Sequence, residues 1–395
     1  MASNSKQSLH MNPGQGETSY AQNSVIQKTA QERMKTLIEE AMTGLYNTAT
    51  SSSPLHQKEL VIADLGCSSG PNALTLVSAA VDAVVVHRRH CAGVQQLPPP
   101  ELCVFLNDLP DNDFNTVAKS LAALKQSARP AAMVTAGMIP GSFYDRLFPR
   151  ASLHLVCSAN SLHWLSTVPE ELSSGAHLNK GNIYVGKTTP PAVVRLFRKK
   201  FREDLSLFLA LRAQELVSGG RMVLTFLGRK SAEMLSHGDV GSMWELLAQA
   251  LAILVQKGRV KGRDLTAFNL PFYAPSVEEV TELVEESGLF DVDHTGVFES
   301  TWDPHDDSAA GDDDEVADCA RSAENVAYCS IRAVVEPLIA GHFGEGIVDE
   351  LFEVYGTVVA EHLSKGRAMY PVIDVSLKLK GRLSSRIQHS DSRTL

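Results

Sequence analysis

The chain has 395 residues, of which 44% are hydrophobic and 21% are charged, and its formal net charge at pH 7 is −10. This length allows one elaborate α/β domain or two domains. The sequence has no apolar run long enough to span a membrane and no basic cluster, so we expect no membrane partner and no nucleic-acid partner. Six scattered cysteines and a polar Met1–Gly16 segment without signal-peptide features predict a reducing, cytoplasmic location.

Strand-like and helix-like segments alternate along most of the chain. A helical pattern covers Val25–Leu45, and later helical patterns cover Ala73–His87, Asn115–Leu124 and Glu203–Leu216. Apolar runs predict strands at Leu60–Leu65, Leu102–Leu106, Met133–Ala136, Leu153–Cys157 and Met222–Leu227, with two final strands at Phe290–Phe298 and Val372–Leu379. This alternation predicts a parallel five-stranded core that is covered by helices on both faces and ends in an antiparallel pair.

The first predicted strand runs into a loop of small residues, Gly66-Cys67-Ser68-Ser69-Gly70, directly after Asp64-Leu65. Small residues allow a ligand to approach the backbone closely, and Pro71 opens a helix whose first N–H groups face that ligand. The spacing differs from the G-x-G-x-x-G of dinucleotide sites, which argues against a nicotinamide oxidoreductase. We therefore predict that the loop holds S-adenosylmethionine, with Asp64 ordering the cofactor's amino-acid end, on a Rossmann-like α/β methyltransferase core.

Several segments do not fit the alternation, and we assign them to a mainly helical cap over the carboxyl ends of the strands, where open α/β sheets bind ligands. The predicted core comprises 20–165, 201–229, 276–300 and 371–381, and the predicted cap comprises 166–200, 230–275 and 325–365. Between them, 301–324 carries nine acids and one base and is predicted to be a solvated surface loop.

Three later strand ends carry groups suited to a ligand. Asp108 follows the second strand, where an acid can accept both ribose hydroxyls, although a turn or helix-cap role is the alternative. Ser142 and Phe143 offer a hydroxyl and a flat ring for an adenine, although a plain turn with Phe143 in the core fits equally well. His163 and Trp164 follow the fourth strand, and we assign His163 as a substrate contact rather than a base, the alternative being a structural histidine.

The motifs together resemble the SABATH family of plant S-adenosylmethionine-dependent methyltransferases. The resemblance rests on segments that follow one another in family order: Leu9–Asn12, Gly14–Ser24, ADLGCSSGPN (63–72), FLNDLPDNDFN (105–115), PGSFYDRLFP (140–149), SLHWLS (161–166), NKGNIYVGK (179–187), GGRMVLTFLGR (219–229) and FNLPFYAPS (268–276).

The resemblance implies a role for individual residues. The positions that match the family's cofactor contacts are Tyr20, Ser24, Cys67, Asn72, Asp108, Leu109, Ser142 and Phe143. The positions that match its substrate pocket are Gln27, Asn160, His163, Trp164, Met243, Trp244 and Ile331. Among these, Gln27 and Trp164 match the pair that grips the substrate carboxylate in the carboxyl methyltransferases.

The resemblance also implies a homodimer and, in some members, a metal site such as Mg²⁺, which would here involve Asn179, Phe268 and Asn269. Thr266 replaces the aspartate that usually precedes that Phe by two residues. The implied reaction is direct in-line methylation of a small carboxylic acid of the jasmonate, salicylate, benzoate or anthranilate type. N-methylation of a heterocyclic alkaloid and a non-catalytic cofactor-binding role are the alternatives.

Overall fold

A computed structural model describes residues 10–14, 16–52, 59–91, 101–127, 133–231, 240–303, 319–366 and 368–381. Most of the predicted acidic loop, 304–318, lies outside the described residues. None of the helices in the described ranges is both long enough and apolar enough to span a bilayer.

A seven-stranded sheet forms the centre of the fold. Its strands are Glu59–Leu65 (β1), Glu101–Asp108 (β2), Met133–Pro140 (β3), Leu153–Ala159 (β4), Leu216–Leu227 (β5), Phe290–Thr301 (β6) and Met369–Leu379 (β7). They lie in the order β3-β2-β1-β4-β5-β7-β6. Neighbours among β1–β5 pair in parallel, whereas β7 pairs antiparallel with both β5 and β6. The predicted parallel core with a final antiparallel pair is confirmed.

Eleven α-helices accompany this sheet in the described ranges. They are Val25–Ser52 (α1), Thr75–Cys91 (α2), Phe114–Ser127 (α3), Glu170–Ser173 (α4), Pro191–Glu215 (α5), Val240–Gln256 (α6), Gly262–Ala267 (α7), Val277–Ser287 (α8), Cys319–Glu324 (α9), Ala333–Phe343 (α10) and Val348–Leu363 (α11). Short 3₁₀ turns precede α2 and α11, at Pro71–Leu74 and Glu345–Ile347, and a π-helical segment covers Asn325–Arg332.

Several predicted boundaries differ from the structure. Helix α5 starts at Pro191 and continues past residue 200, so the predicted border between cap and core falls inside one helix. Proline is well suited to the first turn of a helix, because the N–H that it lacks has no partner there. Strand β5 begins at Leu216, six residues before the predicted Met222, because a register shift lets the backbone continue its pairing with β4. Helix α9 likewise occupies part of the predicted acidic loop.

The cap and the sheet share one hydrophobic core. A single cluster of buried side chains includes Leu65 and Val156 of the sheet together with Leu247 of α6 and Leu351 of α11. This continuous packing holds the cap helices over the sheet at a fixed distance, which sets the shape of the space between them.

Candidate active site

A cavity of about 1310 Å³ opens where the parallel strands end. Its walls include Gly66 after β1, Asp108 at the end of β2, Gly141 after β3 and Ala159 at the end of β4. The cap closes the other side with α6 and the π-helical segment, represented by Met243 and Ile331. The cavity therefore lies at the sheet edge that the sequence predicts for ligand binding.

The glycines of the loop after β1 are required by the protein itself. Gly66 has φ +79°, and a Cβ there would collide with the Ser161 side chain. Gly70 has φ +99°, and a Cβ there would lie 2.7 Å from Ala21 Cα. The sequence interpretation gave these residues to ligand approach. In the structure they bring two neighbouring segments onto the loop, which also needs left-handed backbone at both points.

Two carboxyl groups lie on this side of the cavity: the half-buried Asp108 in its wall and the fully buried Asp64 behind it. Asp64 is 1% exposed, and its Oδ2 has no hydrogen-bond partner. Burial, reinforced by the nearby charge of Asp108, raises the pKa of Asp64 to about 8. Burial also raises the pKa of Asp108 to about 6, although the N–H groups of Ser68 and Leu109 donate to its two oxygens at 2.6 and 2.7 Å and oppose the shift. A cationic ligand would relieve both desolvation costs.

The N-terminal segment ties this acidic side to the cap. The Tyr20 N–H donates to Asn12 O at 2.9 Å, and the Asn12 N–H donates to Ala333 O of α10 at 2.9 Å. The Asn12 side-chain amide also donates to Glu336 Oε2 at 3.2 Å. Tyr20 lines the cavity, and its phenol pKa is raised chiefly by burial and then by Asp108. Asn12 itself is absent from the cavity walls and acts on the backbone of this segment.

Four of the predicted cofactor residues do not line the cavity. Leu109, Ser142 and Phe143 line the cavity beside Tyr20 and Asp108, whereas Ser24, Asp64, Cys67 and Asn72 do not. The Asn72 amide donates to both the carbonyl and the hydroxyl oxygen of Ser24 at 2.7 Å, which fixes the start of α1. Burial raises the pKa of the Cys67 thiol well above its usual range. Direct contact of these four residues with a cofactor stays a prediction.

The loop after β3 is held by two buried side chains of α5. Arg212 donates to Phe143 O and Asp145 O at 2.9 Å each. Glu215 accepts hydrogen bonds from the N–H groups of Leu147 and Phe148 at 2.7 and 3.0 Å. Together they fix the backbone that carries Phe143, whose ring stands edge-on to Phe208 of the same helix.

The opposite end of the cavity is aromatic. The rings of His163, Trp164 and Trp244 lie 5.1 to 5.4 Å from the ring of Phe272, measured between centroids. The Trp164 backbone is fixed on both sides, because its N–H donates to Ser161 O at 3.0 Å and its carbonyl accepts from Tyr144 Oη at 2.8 Å. All seven predicted substrate residues line this one cavity: Gln27, Asn160, His163, Trp164, Met243, Trp244 and Ile331.

His163 is a neutral hydrogen-bond donor. The backbone N–H of Leu227 donates to its Nδ1 at 3.0 Å, so the ring proton resides on Nε2. Burial lowers the pKa of His163 to about 3. An imidazole whose one basic nitrogen is already occupied cannot act as a general base, and its role as a substrate contact stays a prediction.

Comparison with known proteins shows the family of the chain. Residues 6–380 match the family model described as SAM dependent carboxyl methyltransferase. The chain belongs to this carboxyl methyltransferase family. It is 43% identical to anthranilate O-methyltransferase 3 of Zea mays, over 94% of this chain and 96% of that protein. It is 41% identical to salicylate carboxymethyltransferase of Clarkia breweri, over 94% of this chain and 98% of that protein.

A solved methyltransferase structure has the same fold. Loganic acid methyltransferase, determined with SAH, superposes with a TM-score of 0.79 at 32% identity, covering 95% of this chain and 99% of that one. S-adenosylmethionine, a sulfonium that also carries an ammonium group, fits the acidic side of the cavity. On ionisation, the buried carboxyl of Asp64, whose Oδ2 is unpartnered, and the half-buried carboxyl of Asp108 would supply the negative charge that such a cation favours.

The residues that would form the family's metal site do not fit a divalent cation here. Asn179 donates to Asn269 Oδ1 at 3.1 Å, and its own Oδ1 accepts from Thr189 Oγ1 at 2.9 Å. The hydroxyl of the half-buried Thr266 donates to the carbonyl of Gly262 at 2.9 Å. Within the described ranges no three acidic, His or Cys side chains gather as metal ligands. Magnesium binds oxygen ligands, and the side-chain oxygens of both asparagines already accept hydrogen bonds. This neutral amide pair therefore links two loops by hydrogen bonding.

Sequence reasoning missed four residues that build the site of this methyltransferase. Arg212 and Glu215 read as ordinary surface charges of an amphipathic helix, and their i, i+3 spacing was the one available signal. Tyr144 lies in a motif that was recognised, although its bond to the Trp164 carbonyl is a tertiary contact. Ser330 precedes the predicted Ile331 and faces the same cavity because the helix is locally π-helical, a feature often found at functional sites.

Proposed function

We propose that this carboxyl methyltransferase holds the substrate carboxylate between Gln27 and Trp164 and presents it to the methyl donor on the acidic side of the cavity. One observation carries the proposal. Among the described residues that line the cavity there is no Lys or Arg. Uncharged donors therefore bind the carboxylate, and its oxygen keeps the electron density that a nucleophile needs.

No general base is required for this reaction. A carboxylic acid with a pKa like that of Asp or Glu is ionised at neutral pH. S-adenosylmethionine, when bound, supplies an electrophilic methyl group. The protein then needs to align the carboxylate oxygen with that methyl group and to exclude water, and alignment alone is worth about 7–11 kcal/mol. The fixed Trp164 backbone and the neutral His163 ring suit a site that orients the substrate and transfers no proton.

The test compares single variants with labelled methyl donor and a panel of acids: jasmonate, salicylate, benzoate and anthranilate. We expect Gln27→Ala and Trp164→Phe to lower kcat/KM by about 10- to 100-fold, as for loss of a hydrogen bond to a charged group. The dissociation constant for S-adenosylhomocysteine, measured by calorimetry, should stay unchanged. Trp302→Phe is the matched control, because Trp302 is buried without a partner for its indole N–H and is absent from the cavity walls.

The product decides between the proposed reaction and its rival. A methyl ester is released by mild alkali, whereas an N-methyl heterocycle is stable to it. Alkali-stable label from a purine substrate, with no ester from any acid, would overturn the proposal. Tight binding of the methyl donor with no product from any substrate would instead support a non-catalytic role.

A further inference from the structure

Three side chains of the substrate end hold buried polar atoms without a hydrogen-bond partner. They are the Asn160 amide, with both Nδ2 and Oδ1 unpartnered, the Trp244 Nε1 and the Ser330 Oγ. Trp244 and Ser330 are 3% and 4% exposed, and all three residues line the cavity. A buried polar group without a partner costs about 1–3 kcal/mol, so these atoms are placed for an occupant.

The three groups are carried by different parts of the fold. Asn160 has φ +53°, a left-handed conformation that asparagine tolerates better than most residues, and its N–H is bound to Thr225 O and Oγ1 at 3.2 Å. The Trp244 ring packs edge-on against Phe272. Ser330 belongs to the π-helical segment of the cap. The three groups therefore come from separate elements and meet at one cavity.

The chemistry of the Asn160 amide restricts the substrate. An amide presents one donor and one acceptor group, whereas an ionised carboxylate can only accept. The substrate carboxylate therefore cannot satisfy Asn160 Oδ1. Gln27 Oε1 is a further buried acceptor without a partner in the same cavity. An acid that pairs with these acceptors must bring at least one O–H or N–H group of its own.

We propose that the acid carries a hydrogen-bond donor, a hydroxyl or an amino group, in addition to its carboxyl group, and that Asn160 and Ser330 select it. This inference rests on the proposed carboxyl methylation. Discrimination arises because an acid without the donor leaves the amide oxygen buried and unpaired. Two acids that differ only by a methyl group or a ring in an apolar pocket would differ far less in kcat/KM.

The experiment uses matched benzoates and measures kcat/KM for ester formation. Benzoate has no second polar group, while the 2-, 3- and 4-hydroxy and amino derivatives place a donor at each ring position. The corresponding methoxy derivatives keep an oxygen acceptor and lose the donor. We expect the best hydroxy or amino derivative to exceed benzoate and its methoxy counterpart by about 10- to 100-fold. The substituent that gives the highest kcat/KM, and its ring position, show whether the enzyme prefers a hydroxybenzoate or an aminobenzoate.

Variants assign the selection to these residues. Asn160→Gly suits the positive φ and removes the amide, so it should reduce the preference for the donor-bearing acid to near one. Ser330→Ala should reduce the preference by a smaller factor. Ile331→Val is the matched control, since it changes the same wall without a polar group and should lower kcat/KM for both acids alike. Unchanged affinity for S-adenosylhomocysteine shows that each variant is folded.

Two results would overturn the inference. A kcat/KM for benzoate or a methoxy derivative that equals the kcat/KM of every donor-bearing acid would show that no donor is needed. An equal loss for all acids in Asn160→Gly would show that Asn160 shapes the cavity without selecting a substituent. Failure of the proposed function would look different, because no acid in the panel would then yield an alkali-labile product.

Discussion

Arg212 and Glu215 form an ion pair inside the protein, with Arg212 Nε 2.8 Å from Glu215 Oε2 and both side chains 0% exposed. The pair belongs to α5, but its remaining groups bind the backbone of the loop after β3. Each charge is therefore compensated by the other and by backbone groups, as buried ions require. The pair thus positions the loop that presents Ser142 and Phe143 to the cavity.

Breaking this pair should destabilise the protein and weaken cofactor binding together. We expect Glu215→Gln or Arg212→Met to lower the free energy of unfolding by about 3–5 kcal/mol, because the remaining charge is left buried and uncompensated. Chemical denaturation measures the first effect and calorimetry with S-adenosylhomocysteine the second. Arg202→Ala is the control: its pairs with Glu282 and Glu286 are exposed, and its loss should cost less than about 1 kcal/mol.

The cofactor-free protein should lose stability as pH rises from about 4 to about 8. The pKa of Asp64 is raised in the folded state from 3.8 to about 8, so the folded protein binds more protons than the unfolded chain over this range. The free energy of unfolding then falls with pH, by up to about 1.4 kcal/mol per unit for one group. Asp108 adds to the fall up to about pH 6. In Asp64→Asn the slope should flatten, whereas the exposed Asp82→Asn should retain it.

Cofactor binding near pH 7 should release protons. A sulfonium and an ammonium group favour the ionised form of Asp64, so its pKa falls and a proton leaves. Phosphate and Tris have different ionisation enthalpies, so the difference in apparent binding enthalpy between the two buffers gives the number of protons released. We expect up to about one proton per site. The release should disappear in Asp64→Asn. Proton uptake, or an undiminished release in that variant, would contradict the assignment.

Removal of divalent metal should leave the folded protein unaffected. The oxygens of Asn179 and Asn269 already accept hydrogen bonds from side chains of the protein. We expect EDTA to change neither the melting temperature nor kcat/KM. Asn179→Ala should lower the melting temperature, because it breaks a buried link among Asn269, Tyr184 and Thr189. Loss of melting temperature in EDTA, restored by Mg²⁺, would show a metal site instead.

Local patterns in the sequence predicted most of the sheet. Apolar runs located the strands because strands buried on both faces need continuous hydrophobic sequence, and the chain order implied the parallel pairing. Ser276 and Glu279 form a capping box at the start of α8, a pair of bonds set within one helical turn of sequence. The loop after β1, its acid and the aromatic strand end at Trp164 were also recognisable, because each is contiguous in sequence.

Tertiary contacts decided the rest. The pairing of Arg212 with a distant loop, the neutral tautomer of His163 and the unpartnered amide of Asn160 depend on residues 60 or more positions away in the chain. The sequence by itself determined the fold and the position of the small-residue loop after β1, because their signals are local and periodic. Only the folded chain decided which polar atoms are satisfied and which are left for a ligand, because hydrogen bonding inside a cavity is settled by neighbours that sequence order does not reveal.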